Sequence, residues 1–406
     1  MLTLRLAWRN AWRNRRRTGI VVTAVAVGIA GTLVSMAVNY GMVFQMVETA
    51  IATELGHVQL HAPGFDANPE LRVRFLDGGR RAVKLVEQLE GVRSFSRRVR
   101  SEGLVSSPRA SAGVRLVGIE PQREARVSVI SDSITQGRYL EDDGTRRTVL
   151  LGEKLAARLE VAVGDKVVVS AQDLSGDLAG EALRVQGLFR TASSELDRSS
   201  IFVRLEEAQR LLGLGDAVSE IIVLADSRSE IPGVERELVA NLEDSEVRTW
   251  EDLQPVLVYL IDLFDQMALV MYAAVFIAMA FGIANVLLMT IFERTREIGI
   301  MTAIGFGRRR LMAAIVAEAL VVTLLGVGLG FGLAVSGVWA LSDGIDLSRW
   351  AEGLTAVGVG TRIVPVLRSS DFSAPIGVAI VTAVLASAWP AWRAVRLRPA
   401  EAVRQT

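Results

Sequence analysis

The absence of charge constrains this chain most. No Asp, Glu, Lys or Arg occurs from Thr18 to Val47, or from Gln266 to Phe292. A helix needs about 20 apolar residues to cross the ~30 Å hydrocarbon core of a bilayer, so each stretch predicts a membrane span. A third span is predicted over 311–341, with the single charge Glu318, and a fourth over 372–392, with none. Residues 48–250 are polar and mixed in pattern, and 251–265 read as a helical stalk leading into the second span. Composition carries the same split: 50% of residues are hydrophobic and mean hydropathy is +0.35, yet 22% are charged. The expected fold is an α-helical membrane domain of four transmembrane helices, with a large extracytoplasmic α+β domain inserted between helices 1 and 2.

Arginine placement orients the spans. Arg5, Arg9, Arg13, Arg15, Arg16 and Arg17 precede the first; Arg294, Arg296, Arg308, Arg309 and Arg310 separate the second from the third; Arg393, Arg396, Arg398 and Arg404 follow the fourth. The positive-inside rule places these segments (1–17, 293–310 and 393–406) in the cytoplasm. Both termini are then cytoplasmic, and 48–265 and the short loop 342–371 lie outside. The first apolar run is about 30 residues, longer than the roughly 7–15 of a signal-peptide core, and is expected to be a retained anchor. Cysteine is absent and net charge is zero, which exclude thiol chemistry and give no bulk signal for nucleic acid.

Residues 7–14 read Ala-Trp-Arg-Asn twice. The period of four sets Arg5, Arg9 and Arg13 on one stripe beside Leu4, Trp8 and Trp12. This is the pattern of an interfacial amphipathic helix, or simply of a charge cluster that fixes topology. The large insert alternates helix and strand patterns: helix over 79–90, strands at 114–119, 148–151, 166–170, 183–189, 201–203 and 220–224, helices at 153–159, 205–212 and 232–242. It predicts a domain in two lobes, with a hairpin tip at 171–181. From Glu251 the apolar residues Leu253, Val256, Leu257, Leu260, Leu263 and Phe264 fall at helical spacing, giving a stalk that couples the domain to the bilayer or a linker packed on its own domain. Gly326, Gly328, Gly330 and Gly332 form two small-xxx-small pairs on the third span, and Pro375 and Pro390 sit near the ends of the fourth.

No site of chemistry emerges. The chain has no Gly-x-x-x-x-Gly-Lys-Ser/Thr and no His-Glu-x-x-His. His57 and His61 lie in a strand-like segment without further His or Cys, so no metal site is expected. Asp142-Asp143 and Glu206-Glu207 read as solvated. Glu318 lies eight residues past Arg310, about 12 Å along a helix, and an ion pair or inter-helix hydrogen bond is favoured there over proton transport. An apolar groove for substrate is expected from Val43, Val47, Ile51, Leu257, Leu260 and Phe264. A loop for an outer partner is expected at Asp173, Leu174 and Asp177.

The strongest motif is Glu293-Arg-Thr-Arg-Glu-Ile-Gly-Ile-Met-Thr-Ala-Ile-Gly-Phe-Gly-Arg-Arg-Arg310. Mixed charge, an apolar run and a glycine-bounded turn predict a short helix against the membrane face, or a charged loop obeying topogenic statistics. The segment resembles the signature of MacB/FtsX-type ABC-transporter permeases at Glu293, Arg294, Arg296, Glu297, Ile298, Gly299, Ala303 and Gly305. The ending Ala388-Trp-Pro-Ala-Trp-Arg-Ala-Val-Arg-Leu-Arg-Pro-Ala-Glu-Ala-Val-Arg404 is similar to that family's C-terminal motif. Val149–Ala156, Val163–Val167, Val185–Phe189 and Ser194–Asp197 resemble its extracytoplasmic core, lipoprotein-release (LolC/LolE-like) permeases in particular.

The resemblance implies a non-catalytic permease subunit of the inner membrane. The eight motif residues would couple it to a separate P-loop ATPase present in two copies, which holds the ATP and Mg²⁺; this chain itself needs no cofactor. A second permease chain, identical or homologous, would complete the unit. The work would go to release of lipoproteins or envelope lipids, aided by a periplasmic carrier. Alternatively it would drive an efflux adaptor or a cell-wall hydrolase without moving lipid. The efflux type usually carries its ATPase in the same chain, and none is present in this sequence. The carrier-binding loop of the lipoprotein type corresponds to Gln172–Glu181, which is short.

Overall fold

The computed structural model describes residues 8–9, 12–65, 73–140, 147–304, 306–356 and 358–395. In chain order the first element is the long helix α1 (Arg15–Ala50), whose last turn widens into a π turn at Ile51–Leu55. The β-rich domain follows: β1 (Val58–His61), α2 (Arg80–Gln88), β2 (Val92–Ser106), β3 (Ser111–Ile119), α3 (Pro121–Val127), β4 (Ile134–Gly137), β5 (Thr148–Gly152), α4 (Glu153–Leu159), β6 (Lys166–Gln172), β7 (Leu178–Phe189), α5 (Ser194–Ser199), β8 (Ser200–Arg204), α6 (Leu205–Leu211), β9 (Glu220–Ala225), α7 (Ile231–Asn241), β10 (Glu246–Thr249) and α8 (Trp250–Leu253). Then come α9 (Pro255–Glu293), the short α10 (Thr295–Ala303), α11 (Arg308–Ala340), α12 (Ala351–Ala356) and α13 (Ser373–Val395). Helices α1, α9, α11 and α13 are long and apolar enough to span a membrane.

Strand pairing gives the domain its two lobes. β2 pairs with β3, β3 with β8, β8 with β5, β5 with β7, β7 with β6 and β6 with β2, which closes a ring of six strands. Val114, Leu116, Val149, Leu151, Val167, Val169, Val185 and Ile201 belong to the main core of this lobe. The opposite faces of the same strands supply a second core with Leu150, Phe189 and Phe202, the two rings 5.4 Å apart edge to face. β5 is therefore buried at every position, whereas β6 alternates buried and open as a one-faced strand does. The N-terminal half of β2 leaves the ring to pair with β9, and β9, β1 and β10 complete the second lobe.

Several elements differ from the sequence reading. β2 has no counterpart there, because Arg93, Arg97, Arg98 and Arg100 interrupt its apolar alternation. The stalk is not one helix from Glu251. The hydroxyl of Thr249 and the carboxylate of Asp252 form a capping box that starts the separate short helix α8, which ends at Leu253, and Pro255 opens α9. Glu207 is buried rather than solvated, accepting the backbone N–H of Arg147; burial, the larger effect, raises its pKa against that bond. Asp142-Asp143 lie outside the described residues. Residues 342–371 are more than a plain loop: α12 packs on α5, and 346–362 group with the β-rich domain.

The membrane helices have their own core. Val25, Ile29 and Leu33 of α1 join Phe276, Ile283 and Leu287 of α9, Ile315 and Val327 of α11 and Ala379 of α13. One glycine pair of the third span serves that packing. A Cβ at Gly326 would come within 2.6 Å of the Val25 side chain, and one at Gly330 within 2.9 Å of Ala26 O, while Gly328 and Gly332 face open space. The close approach of α11 to α1 thus rests on the small-xxx-small pair at 326 and 330.

Candidate functional site

The motif residues between the second and third spans form a short two-faced helix. Ile298 and Gly299 of α10 are buried, and Ile298 packs in the membrane core beside Met301, Phe306 and Leu311. On the other side Arg296, Ile300 and Ile304 are exposed at four-residue spacing. Ile300 is 46% and Ile304 81% open. Of the remaining motif positions, the Ala303 side chain and Gly305 lie outside the described residues.

Glu293, Arg294 and Glu297 pair with partners in this chain, both carboxylates remaining exposed. Arg13 Nη1 donates to both carboxylate oxygens of Glu297, at 3.0 and 3.1 Å, and Arg294 Nε donates to the same carboxylate at 3.1 Å. The Arg294 hydrogen bond, with help from Arg13, holds the Glu297 carboxyl below its usual pKa although slight burial opposes this. Arg17 is bidentate to Glu293, Nη1 to Oε2 being 2.7 Å. Glu318 lies 3.6 Å from Arg294 Nη1. The tryptophans of the preceding segment, Trp8 and Trp12, are both exposed and meet edge to face at 5.9 Å. The C-terminal motif lies outside the described residues from 396 onward.

Of the expected groove, Val43, Val47 and Ile51 are buried and Leu257, Leu260 and Phe264 half-buried. Of the helical stripe, Leu257, Leu260 and Phe264 are half-buried but Val256 is open, as is Tyr259 beside it, each 64% exposed. The expected partner loop is a self-capped turn. Asp173 Oδ1 accepts from the amides of Ser175 and Asp177 at 2.8 and 3.0 Å, and Leu174 packs against the main core. The exposed apolar residue beside it is Leu178, at 79%. His57 Nδ1 accepts the Ala225 amide at 3.0 Å, and burial lowers its pKa. His61 Nε2 is 2.9 Å from Gln59.

Two further clusters escaped sequence reasoning. In the β-rich domain, Arg98 of β2 donates through Nε to Glu124 at 3.0 Å and through Nη1 to the carbonyl of Glu54 at 2.8 Å. The Glu54 carboxylate receives Arg100 at 2.7 Å and also Arg115, and Arg100 reaches Glu220 at 3.3 Å. Arg98, Glu124 and Glu220 are essentially inaccessible. The network pins the π turn that ends α1 to β2 and β3. At the other cluster, Arg368 stacks 3.5 Å over the Tyr40 ring and donates to Asp371 at 3.1 Å, and Asp265 accepts from the Tyr40 hydroxyl. Beside it Val366 N donates to Ala37 O at 2.9 Å. Charges at span ends were the available signal for the second cluster alone, and neither pairing is visible in a sequence: partners lie 26 to 120 positions apart in the first cluster, and Asp265 lies 225 from Tyr40 in the second.

Residues 18–241 match the MacB-like periplasmic core domain family, and 269–399 match the FtsX-like permease C-terminal family. The chain belongs to the MacB-like periplasmic core domain family. It is an ABC transporter permease of the MacB/FtsX/LolC type, and its four apolar helices with a periplasmic-type domain fit an inner-membrane permease. Among curated relatives it is similar to the lipoprotein-releasing system transmembrane protein LolC of Xylella fastidiosa, 25% identical over 75% of this chain and 76% of that protein. A Neisseria meningitidis LolC is 22% identical over 95% and 94%. The macrolide export ATP-binding/permease protein MacB of Chlorobium luteolum is 29% identical over 51% of this chain and 27% of its own. The solved periplasmic region of MacB from Actinobacillus actinomycetemcomitans matches 52% of this MacB-type chain and 96% of that structure, with 16% identity and a TM-score of 0.38.

Proposed function

We propose that this permease transmits ATP hydrolysis on a separate ATPase subunit to its β-rich domain, for release of lipoproteins or related envelope lipids. One observation carries the coupling part. Helix α10 is fixed inward by Ile298 and presents Arg296, Ile300 and Ile304 outward. Exposed isoleucines in a charged loop are costly to leave in water and suit an apolar socket on a partner. In this reading two ATPase copies bind two permease chains on the cytoplasmic side, and ATP and Mg²⁺ stay with the ATPase. The lipoprotein part draws on the LolC relatives' names. The double change Ile300→Asp with Ile304→Asp tests the coupling. Native mass spectrometry of nanodisc complexes should show the permease without its ATPase, and a full complement of ATPase would refute the reading.

Burial of Val43, Val47 and Ile51 favours a second reading, in which the stroke drives a periplasmic partner and no acyl chain lies along that stripe. Reconstituted complexes separate the two. ATP-dependent release of a fluorescent triacylated peptide from proteoliposomes supports lipid extraction, and its absence supports the switch.

A further inference from the structure

The coupling reading leaves open how a push on α10 reaches the first span. The residues ahead of that span offer a route. Arg13 and Arg17 are four apart, and so are Glu293 and Glu297. The two sets meet in register: Arg17 grips Glu293 at the end of α9, and one turn further on Arg13 grips Glu297 within α10. Glu297 is shared with Arg294, whose other end faces Glu318 on α11 at 3.6 Å. A single run of alternating charge thus links the start of span 1, the end of span 2, α10 and span 3.

The surroundings make this link matter. A cavity of about 140 Å³ lies behind the ladder, lined on its apolar side by Val21, Ile283, Leu287 and Val322. Deeper in, α1 is held by Val25, Ile29 and the glycine seam, contacts whose hydrophobic part is non-directional. Paired guanidinium–carboxylate bonds are directional and fix register. Where the cavity interrupts packing, the ladder carries the connection.

We propose that Arg13 and Arg17 are positioning residues of the coupling element, a two-rung ladder that makes the first span follow α10 when the ATPase moves it. The segment ahead of the first span is then part of the transmission and not merely a topogenic charge cluster. This rests on α10 being the ATPase-docking helix.

The rung that Arg294 does not share gives the cleaner test. Full-length permease with its ATPase, in nanodiscs, is compared as wild type, Arg17→Glu, Glu293→Arg and the swap R17E/E293R. Arg17→Glu should leave the ATPase bound, and each single reversal should lower the coupled ATP hydrolysis rate by up to roughly fivefold, the scale of a lost exposed pair. The ATP-dependent change in hydrogen exchange at residues 15–25 should vanish. The swap should return both readouts to near wild type, and raised salt should shrink the difference. The milder Arg17→Gln should fall between, which keeps the test open if a reversal does not fold. Single reversals without effect, or a swap that fails to rescue, overturn the ladder. The variant Ile300→Asp/Ile304→Asp is run alongside. If it keeps its ATPase the docking reading fails, whereas loss of ATPase there with no effect at Arg17 overturns the ladder alone.

Discussion

Replacing Arg98 with methionine should reverse the sign of the β-rich domain's pH dependence. Arg98 and Glu124 are shielded from solvent, and Glu220 lies 3.9 Å from Arg98 Nη1, equally enclosed. Burial alone would drive the Glu124 carboxyl upward, but its pairing and hydrogen bonds to Arg98 prevail and hold it below the usual range. A carboxyl depressed in the folded state adds stability that is present above its unfolded pKa of about 4.3 and lost as pH falls through the folded value. The contribution of Glu124 to wild-type stability is therefore lost only in acid. Arg98→Met removes the hydrogen bonds to Glu124 and to Glu54 O and leaves two buried carboxylates with less compensation. Breaking such a pair costs about 3–5 kcal/mol, a large part of the roughly 5–15 kcal/mol that holds a domain folded. Uncompensated Glu124 then has a raised pKa, so the variant should be less stable at pH 7.5 than at pH 5.5. Hydrogen exchange at the β2 and β9 amides of the full chain in detergent, followed from pH 5 to 8 after correction for intrinsic rates, reads the local opening free energy. The double change Arg98→Met with Glu124→Leu should recover most of the loss, since apolar replacement of a whole buried pair is often neutral. A variant that keeps wild-type stability and the wild-type sign of pH dependence would refute the argument.

Gly330→Leu should destabilise the membrane helices by about 1–3 kcal/mol through overpacking against α1, seen as a lower thermal midpoint in detergent; Gly328→Leu, with nothing within 4 Å of its Cβ, should be tolerated. Gly41→Ala places a Cβ 2.1 Å from Val364 O, so the segment 362–367 should shift off α1 and its amides should exchange faster. Thr249→Ala removes the hydroxyl half of the capping box at the start of α8, leaving the Thr249 amide on Asp252, and should cost about 1 kcal/mol, measured as faster exchange over 250–254.

By itself the sequence determined the four apolar helices and the family. Charge cannot enter hydrocarbon cheaply, so the uncharged stretches mark the spans whatever they pack against. The spacing of polar and apolar residues likewise set one-faced strands such as β6 and the position of α10. The tertiary structure decided what each side chain does. Whether Val43 and Val47 line a groove or fill an interior depends on what the rest of the fold lays over them, which helical periodicity does not encode. Nothing in the sequence marks Arg98 and Arg100 as buried, because a buried cation is stable only beside its partners, and Glu54, Glu124 and Glu220 lie 26 to 120 positions away. In the same way the arginines before the first span read as an interfacial stripe or as topogenic charge until the fold set Arg13 and Arg17 opposite Glu297 and Glu293. The period of an apolar pattern is a local property of the chain, whereas the pairing of charges requires the distances that only folding creates.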